Sequence, residues 1–126
     1  MIISRTPLRM SFVGGGSDLP SFYKHHEGAV VSTAIDQYIY ITVNKKFDQH
    51  IRASYSITEI VQSVKDVKHE LIRYALLKTR IKGQIEITSI SDIPSEGTGL
   101  GSSSSYTVGL LNALYAHKGV HASAER

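Results

Sequence analysis

The sequence predicts an α+β domain, a predominantly antiparallel sheet with a few helices on one side. Three observations carry this. Gln84-Ile85-Glu86-Ile87-Thr88-Ser89-Ile90 alternates polar and apolar side chains, as a half-buried strand does. Residues 29–35 and 38–43 are rich in β-branched and aromatic side chains and form an antiparallel pair of strands, joined at Asp36-Gln37. Beyond Ser102, Thr107, Leu110, Leu111, Leu114 and Tyr115 recur at helical spacing.

The other elements follow in chain order. Residues 2–5 read as a short strand and residues 8–13 as a second, with Arg9 and Ser11 on one face and Met10 and Phe12 on the other. That strand runs into Gly14-Gly15-Gly16-Ser17-Asp18, a sharp loop whose backbone can come close to a ligand. Asp18 is placed to cap a short helix over residues 19–24, and residues 25–28 make a turn. Tyr38 and Tyr40 share one strand face as packed sheet residues, and residues 51–55 are a weaker strand. From Ile60, the positions Val64, Val67, Leu71 and Tyr74 step by four and three, which predicts an amphipathic helix to about Lys78. Gly83 ends that unit. The alternating strand, a Gly/Ser loop and a long helix starting near Ser102 or Ser103 come next, and Ser123-Ala124-Glu125-Arg126 reads as the capped start of another helix.

With 126 residues, 41% of them apolar and 20% charged, the chain has the makings of one soluble domain with a real core. No apolar run approaches the ~20 residues that cross a bilayer. The start, Met1-Ile2-Ile3-Ser4-Arg5, lacks the layout of a signal peptide. Zero cysteines remove disulfides and thiolate metal sites and suit a cytoplasmic protein. The six histidines show no metal spacing. The net charge of +3 is mild, and Lys65, Lys68 and Arg73 stand out as a basic stretch.

Chemistry points to the segment Ile93-Pro94-Ser95-Glu96-Gly97-Thr98-Gly99-Leu100-Gly101-Ser102-Ser103-Ser104-Ser105, between the strand and the long helix. Glycines at alternate positions let the backbone curl around a ligand, and the first amides of a helix face outward with the positive end of its dipole. Serine hydroxyls can bond phosphate oxygens or complete the shell of Mg²⁺. A flexible linker or an ordinary strand-to-helix turn would use the same residue types. The strand and helix flanks favour a phosphate site. No Gly-Lys-Ser/Thr closes the loop, so it is not a Walker motif.

Gly97-Thr98-Gly99-Leu100-Gly101-Ser102-Ser103 resembles the second motif of the GHMP kinases (galactokinase, homoserine, mevalonate and phosphomevalonate kinases), with one extra residue between Pro94 and the first glycine. Pro7-Leu8-Arg9-Met10-Ser11-Phe12-Val13-Gly14-Gly15-Gly16-Ser17-Asp18 is similar to the first motif of that family, with Arg9, Gly14 and Asp18 in register. Gly15 and Gly16 replace the Glu-His pair of galactokinases, and the form Gly-Gly-Gly-Ser-Asp looks more like the heptose-phosphate kinases within the family.

The resemblance implies the N-terminal, ATP-binding domain over residues 1–126, with a fold like the second domain of ribosomal protein S5. It implies an ATP-dependent sugar kinase using ATP and Mg²⁺, with the anomeric hydroxyl of D-glycero-D-manno-heptose 7-phosphate as acceptor. By it, Gly97, Thr98, Gly99, Leu100, Gly101, Ser102, Ser103 and Ser104 hold the nucleotide, and Ser103 is the residue associated with Mg²⁺. Arg9 sits at the reacting centre, and Gly15, Gly16, Ser17 and Asp18 meet the sugar. A guanidinium near the γ-phosphate stabilises charge in phosphoryl transfer, and an acceptor-only carboxylate suits sugar hydroxyls. Family members are more than twice this long. The chain is therefore expected to be an N-terminal piece, with the general base, a Mg²⁺ carboxylate and the third motif beyond Arg126, and to be inactive alone. The competing reading is an S5-like RNA-binding module without catalysis, carried by Lys65, Lys68 and Arg73.

Overall fold

The structure, a computed structural model, describes residues 1–94 and 99–123. Five strands form a single sheet: β1 (Ile2–Val13), β2 (Val31–Lys45), β3 (Ile51–Ser54), β4 (Thr58–Val61) and β5 (Ile85–Ser91). Their spatial order is β1-β2-β5-β3-β4, antiparallel at every pairing except β3 with β5. Three helices accompany them, α1 (Pro20–Tyr23), α2 (Glu70–Thr79) and α3 (Ser102–His117).

Alternation decides which face is dry. Ile39, Ile41 and Val43 on β2, Ile85 and Ile87 on β5, and Ile51 and Ala53 on β3 all turn to one side and are buried. Against them pack Ile72, Ala75 and Leu76 of α2 and Leu110, Ala113 and Leu114 of α3, in one continuous core. Each such aliphatic side chain contributes about 1.5–3 kcal/mol by leaving water. The α+β architecture with helices over one face of the sheet is therefore as expected. Gly109 lets α3 settle onto β1: its carbonyl accepts from Ser4 Oγ at 2.9 Å.

Several local expectations are corrected. The two N-terminal strands are one, β1, because Pro7 lies on an edge strand where a missing amide costs little. The turn expected at Asp36-Gln37 is not a turn. Residues 35–37 sit inside β2 opposite a register shift between Pro7 (facing Tyr38) and Arg9 (facing Ala34). A two-residue hairpin needs positive φ, and neither Asp36 nor Gln37 has it.

The helix expected from Ile60 begins ten residues later. Thr58–Val61 adds to β3 as an edge strand, Val64–Asp66 is a 3₁₀ turn, and only Glu70–Thr79 is α-helical. Val64 and Val67 are buried as the spacing suggested. The helix itself buries Ile72, Ala75, Leu76 and Thr79, while Tyr74 is exposed. The short helix near residue 19 is α1, entered by Leu19 with no side-chain cap, so Asp18 closes a 3₁₀ turn (Gly15–Asp18) and caps nothing. Ser123 is not helical, and residues 124–126 lie outside the described residues.

Candidate functional site

Gly99 and Gly101 both take left-handed backbone, with φ of 65° and 69°. Gly101 is the N-cap of α3, without a side-chain cap. The helical ladder starts with Ser105 N–H donating to the Gly101 carbonyl at 3.0 Å. Gly101, and none of the serines, is therefore the cap. Ser103 and Ser104 stand exposed in the first turn, with amides that precede the ladder. Gly97 and Thr98, expected in the same loop, lie outside the described residues.

Strand β1 holds this loop from below. Ser105 Oγ donates to the Pro7 carbonyl at 3.1 Å, and Arg9 N–H donates to the Leu100 carbonyl at 3.2 Å. The Arg9 side chain then runs over Gly101, where a Cβ would meet Arg9 Cγ at 3.1 Å and Nε at 3.2 Å. Its guanidinium donates to Ser11 Oγ. One permanent cation thus sits at the mouth of a helix N-terminus, an arrangement that attracts anions.

Beside the loop, a cavity of about 560 Å³ opens between α3, the N-terminus of α2 and the sheet. Ser102 and Ser103 line one end, and Tyr55, His69 and Tyr106 form an aromatic wall. His69 stacks on Tyr106 (centroids 5.4 Å apart, planes at 27°) and takes the edge of Tyr55 at 4.6 Å. Behind the wall, the buried Glu59 carboxylate accepts from Lys68 N–H at 2.8 Å, His69 N–H at 3.3 Å and the Tyr55 hydroxyl at 3.2 Å. Burial lowers the pKa of His69, against a smaller upward pull from Glu59. Burial pushes Tyr106 up to about 12, countered in part by the Ser89 hydroxyl. The Tyr106 hydroxyl has no well-formed hydrogen bond.

Sequence reasoning missed this wall. Glu59 falls just before a stretch read as helix, and Tyr55 and His69 belong to no periodic pattern. The one available signal was Tyr106, four residues after Ser102 and so on the same helix face.

Asp18 occupies different ground. With Ser17, Tyr23 and Gly28 it lines a second, shallower cleft of about 350 Å³. Ser17 Oγ donates to the Gly14 carbonyl at 2.6 Å, while Gly15 and Gly16 face open space. Arg9 and the end of β1 at Val13 are four residues apart, roughly 13 Å along a strand. The loop holding Asp18 therefore begins at the far end of the strand that carries Arg9.

The basic residues belong to different elements. Lys65 is on the 3₁₀ turn, Lys68 precedes α2, and Arg73 donates to the Val67 carbonyl at 2.9 Å and pairs with Glu70 at 3.5 Å. Among the described residues no group of three His, Cys, Asp or Glu side chains could hold a metal ion. No helix among them is long and apolar enough to cross a membrane.

Residues 58–126 match the GHMP kinases N terminal domain. The chain is 31% identical to the D-glycero-alpha-D-manno-heptose 7-phosphate kinase of Campylobacter jejuni, over 90% of this chain and 37% of that protein. A D-glycero-D-manno-heptose 1-phosphate kinase from Bacteroides thetaiotaomicron superposes with a TM-score of 0.82 at 23% identity, over 95% of this chain and 43% of the other. The mevalonate kinase of Methanococcus jannaschii gives 0.75 at 18% identity, over 98% and 42%. At these identities the superpositions speak for the fold, and the chain spans less than half the length of each of these proteins.

Proposed function

The chain belongs to the GHMP kinase family through its N-terminal domain, and from that premise we propose that it binds ATP as part of a sugar kinase. The acceptor we propose is the anomeric hydroxyl of D-glycero-D-manno-heptose 7-phosphate. The observation that carries the ATP reading is the seating of Arg9 on Gly101, which joins a cation to the start of α3. In this reading the triphosphate lies over Gly99, Leu100 and Gly101 and the first turn Ser102, Ser103 and Ser104, and by the family resemblance Gly97 and Thr98 bind it too. The base enters the adjoining cavity.

Mg²⁺ fits the donor set. A hard cation takes oxygen ligands and keeps several of its waters, and phosphate oxygens and a hydroxyl are ordinary members of its shell beside one or two carboxylates. Ser103, exposed beside the cavity, would supply that hydroxyl. When bound, Mg²⁺ neutralises charge on the β- and γ-phosphates. Arg9 stabilises the charge that builds as the acceptor oxygen bonds the γ-phosphorus and ADP leaves. Gly15, Gly16, Ser17 and Asp18 would receive the sugar, with the Asp18 carboxylate accepting from its hydroxyls. The heptose assignment draws on the similarity to the Campylobacter jejuni enzyme and on two small residues where galactokinases carry larger ones. Dependence on ATP and the lack of cysteine suit a cytoplasmic setting.

Calorimetric titration with ATP tests the first half of the reading. Binding that strengthens when MgCl₂ is added is expected, and no heat with or without the metal would end it. For the acceptor, the protein is assayed with heptose 7-phosphate and with mevalonate. Turnover of mevalonate alone would refute the sugar assignment.

A further inference from the structure

Glu59 has no part in the chemistry above, yet among the described residues it is the one buried carboxylate, only 9% exposed. A buried carboxylate is retained where hydrogen bonds satisfy it, and here three do. Two come from the backbone N–H groups of Lys68 and His69, at the entry to α2, and one from the Tyr55 hydroxyl. Together they tie the β3–β4 hairpin to the first turn of α2. We propose that Glu59 is a positioning residue for the nucleobase, acting through His69, whose ring it holds against Tyr106 as the flat wall of the cavity. This rests on the ATP reading.

The geometry leaves His69 little freedom. Ile72 N–H donates to His69 Nδ1 at 3.4 Å, so Nδ1 is the bare nitrogen and Nε2 carries the proton. The backbone end of the residue is held by Glu59 and the ring by Ile72, with Tyr106 stacked on it and Tyr55 against it at a steep angle. A preorganised aromatic wall suits a planar heterocycle, since stacking needs a surface already in place. Tyr106 lies one helical turn beyond Ser102, about 5–6 Å along α3. Base and phosphates are thereby met by successive turns of one helix.

The test compares MgATP with inorganic tripolyphosphate, which carries the phosphates and no base, on the whole chain. Glu59→Gln puts an amide N–H₂ where an acceptor is needed. It is expected to weaken ATP about tenfold, the effect of losing one charge-assisted hydrogen bond, and to leave tripolyphosphate unchanged. Tyr55→Phe removes a single bond of the three and is expected to act in the same direction with a smaller loss. It serves as the reading if the Glu59 variant does not fold, which thermal melting reports. Equal weakening of both ligands, or no change in either, overturns the inference. If the parent chain binds neither ligand, the ATP reading itself fails. If it binds ATP no tighter than tripolyphosphate, the cavity takes no base.

Discussion

Arg9 lies across Gly101, close enough that a methyl group at residue 101 would touch Arg9 Cγ at 3.1 Å and Nε at 3.2 Å. The contact joins a strand residue near the start of the chain to a loop more than ninety positions later. It seats one residue of the first motif, Arg9, on the second glycine loop. Gly101→Ala violates it twice, by crowding the arginine and by forcing a side chain to φ of 69°. The conformational part alone costs about 1–2 kcal/mol. Stability in a urea titration is expected to fall by that order, and ATP affinity at least tenfold. Unchanged ATP binding by the folded variant would remove the loop from the nucleotide site.

Arg9→Lys keeps the charge and loses the fork. The side chain is exposed and, among the described residues, its side-chain bond is to Ser11, so melting temperature is expected to stay within a degree or two of the parent. In an assay of phosphoryl transfer, turnover is expected to fall by about 10²-fold, as when a donor to developing charge is lost, with KM for ATP changing far less. A change in KM with turnover preserved would make Arg9 a ground-state anchor instead.

What could be read beforehand was the chemistry that local sequence encodes. The strand Ile85–Ser91 and the helix Ser102–His117 stand where their periodicity puts them, because pattern and turn residues agree. Pairing between distant segments was not legible. Nothing local distinguishes Asp36-Gln37 in a bulge from the same pair in a turn. The run after Thr58 joined β3 because an edge was available there, although its spacing also fits a helix. The aromatic wall was hidden for the same reason, since Tyr55, Glu59, His69 and Tyr106 meet only after four elements have packed. Asp18 was visible as a polar residue at a loop, whereas its distance along β1 from Arg9 needed the sheet.

At Gly109, α3 lies close against β1. A Cβ there would lie 2.5 Å from Thr6 Oγ1, well inside contact distance, and the Ser4 bond to the Gly109 carbonyl holds the helix down. Gly109→Ala is expected to destabilise the domain by about 1–3 kcal/mol, the usual cost of overpacking, despite the better helix propensity of alanine. Thr6→Ala removes the opposing hydroxyl. The double variant Thr6→Ala/Gly109→Ala is expected to recover most of the loss, a coupling that denaturant titrations of all four proteins would measure. Additive losses would mean that the helix is held off the strand by something other than Thr6.

His69 gives the domain an acid-sensitive joint. Burial holds its pKa below the ordinary 6.5, outweighing the attraction of Glu59, so the folded chain resists protonating a ring that the unfolded chain protonates readily. With the folded pKa depressed, this group's contribution to stability is complete above pH 6.5. It is lost as pH falls from there through the folded value. Protonation also puts a hydrogen on Nδ1, opposite the Ile72 N–H that caps α2. Asn at this position can still accept that hydrogen bond and cannot titrate. Melting temperatures of the parent and of His69→Asn, followed from about pH 7.5 to about pH 5, should therefore converge with acid, the parent falling more steeply. Because the other histidines are common to both proteins, the difference in slope belongs to His69, and parallel curves would show that its ring does not titrate against the fold.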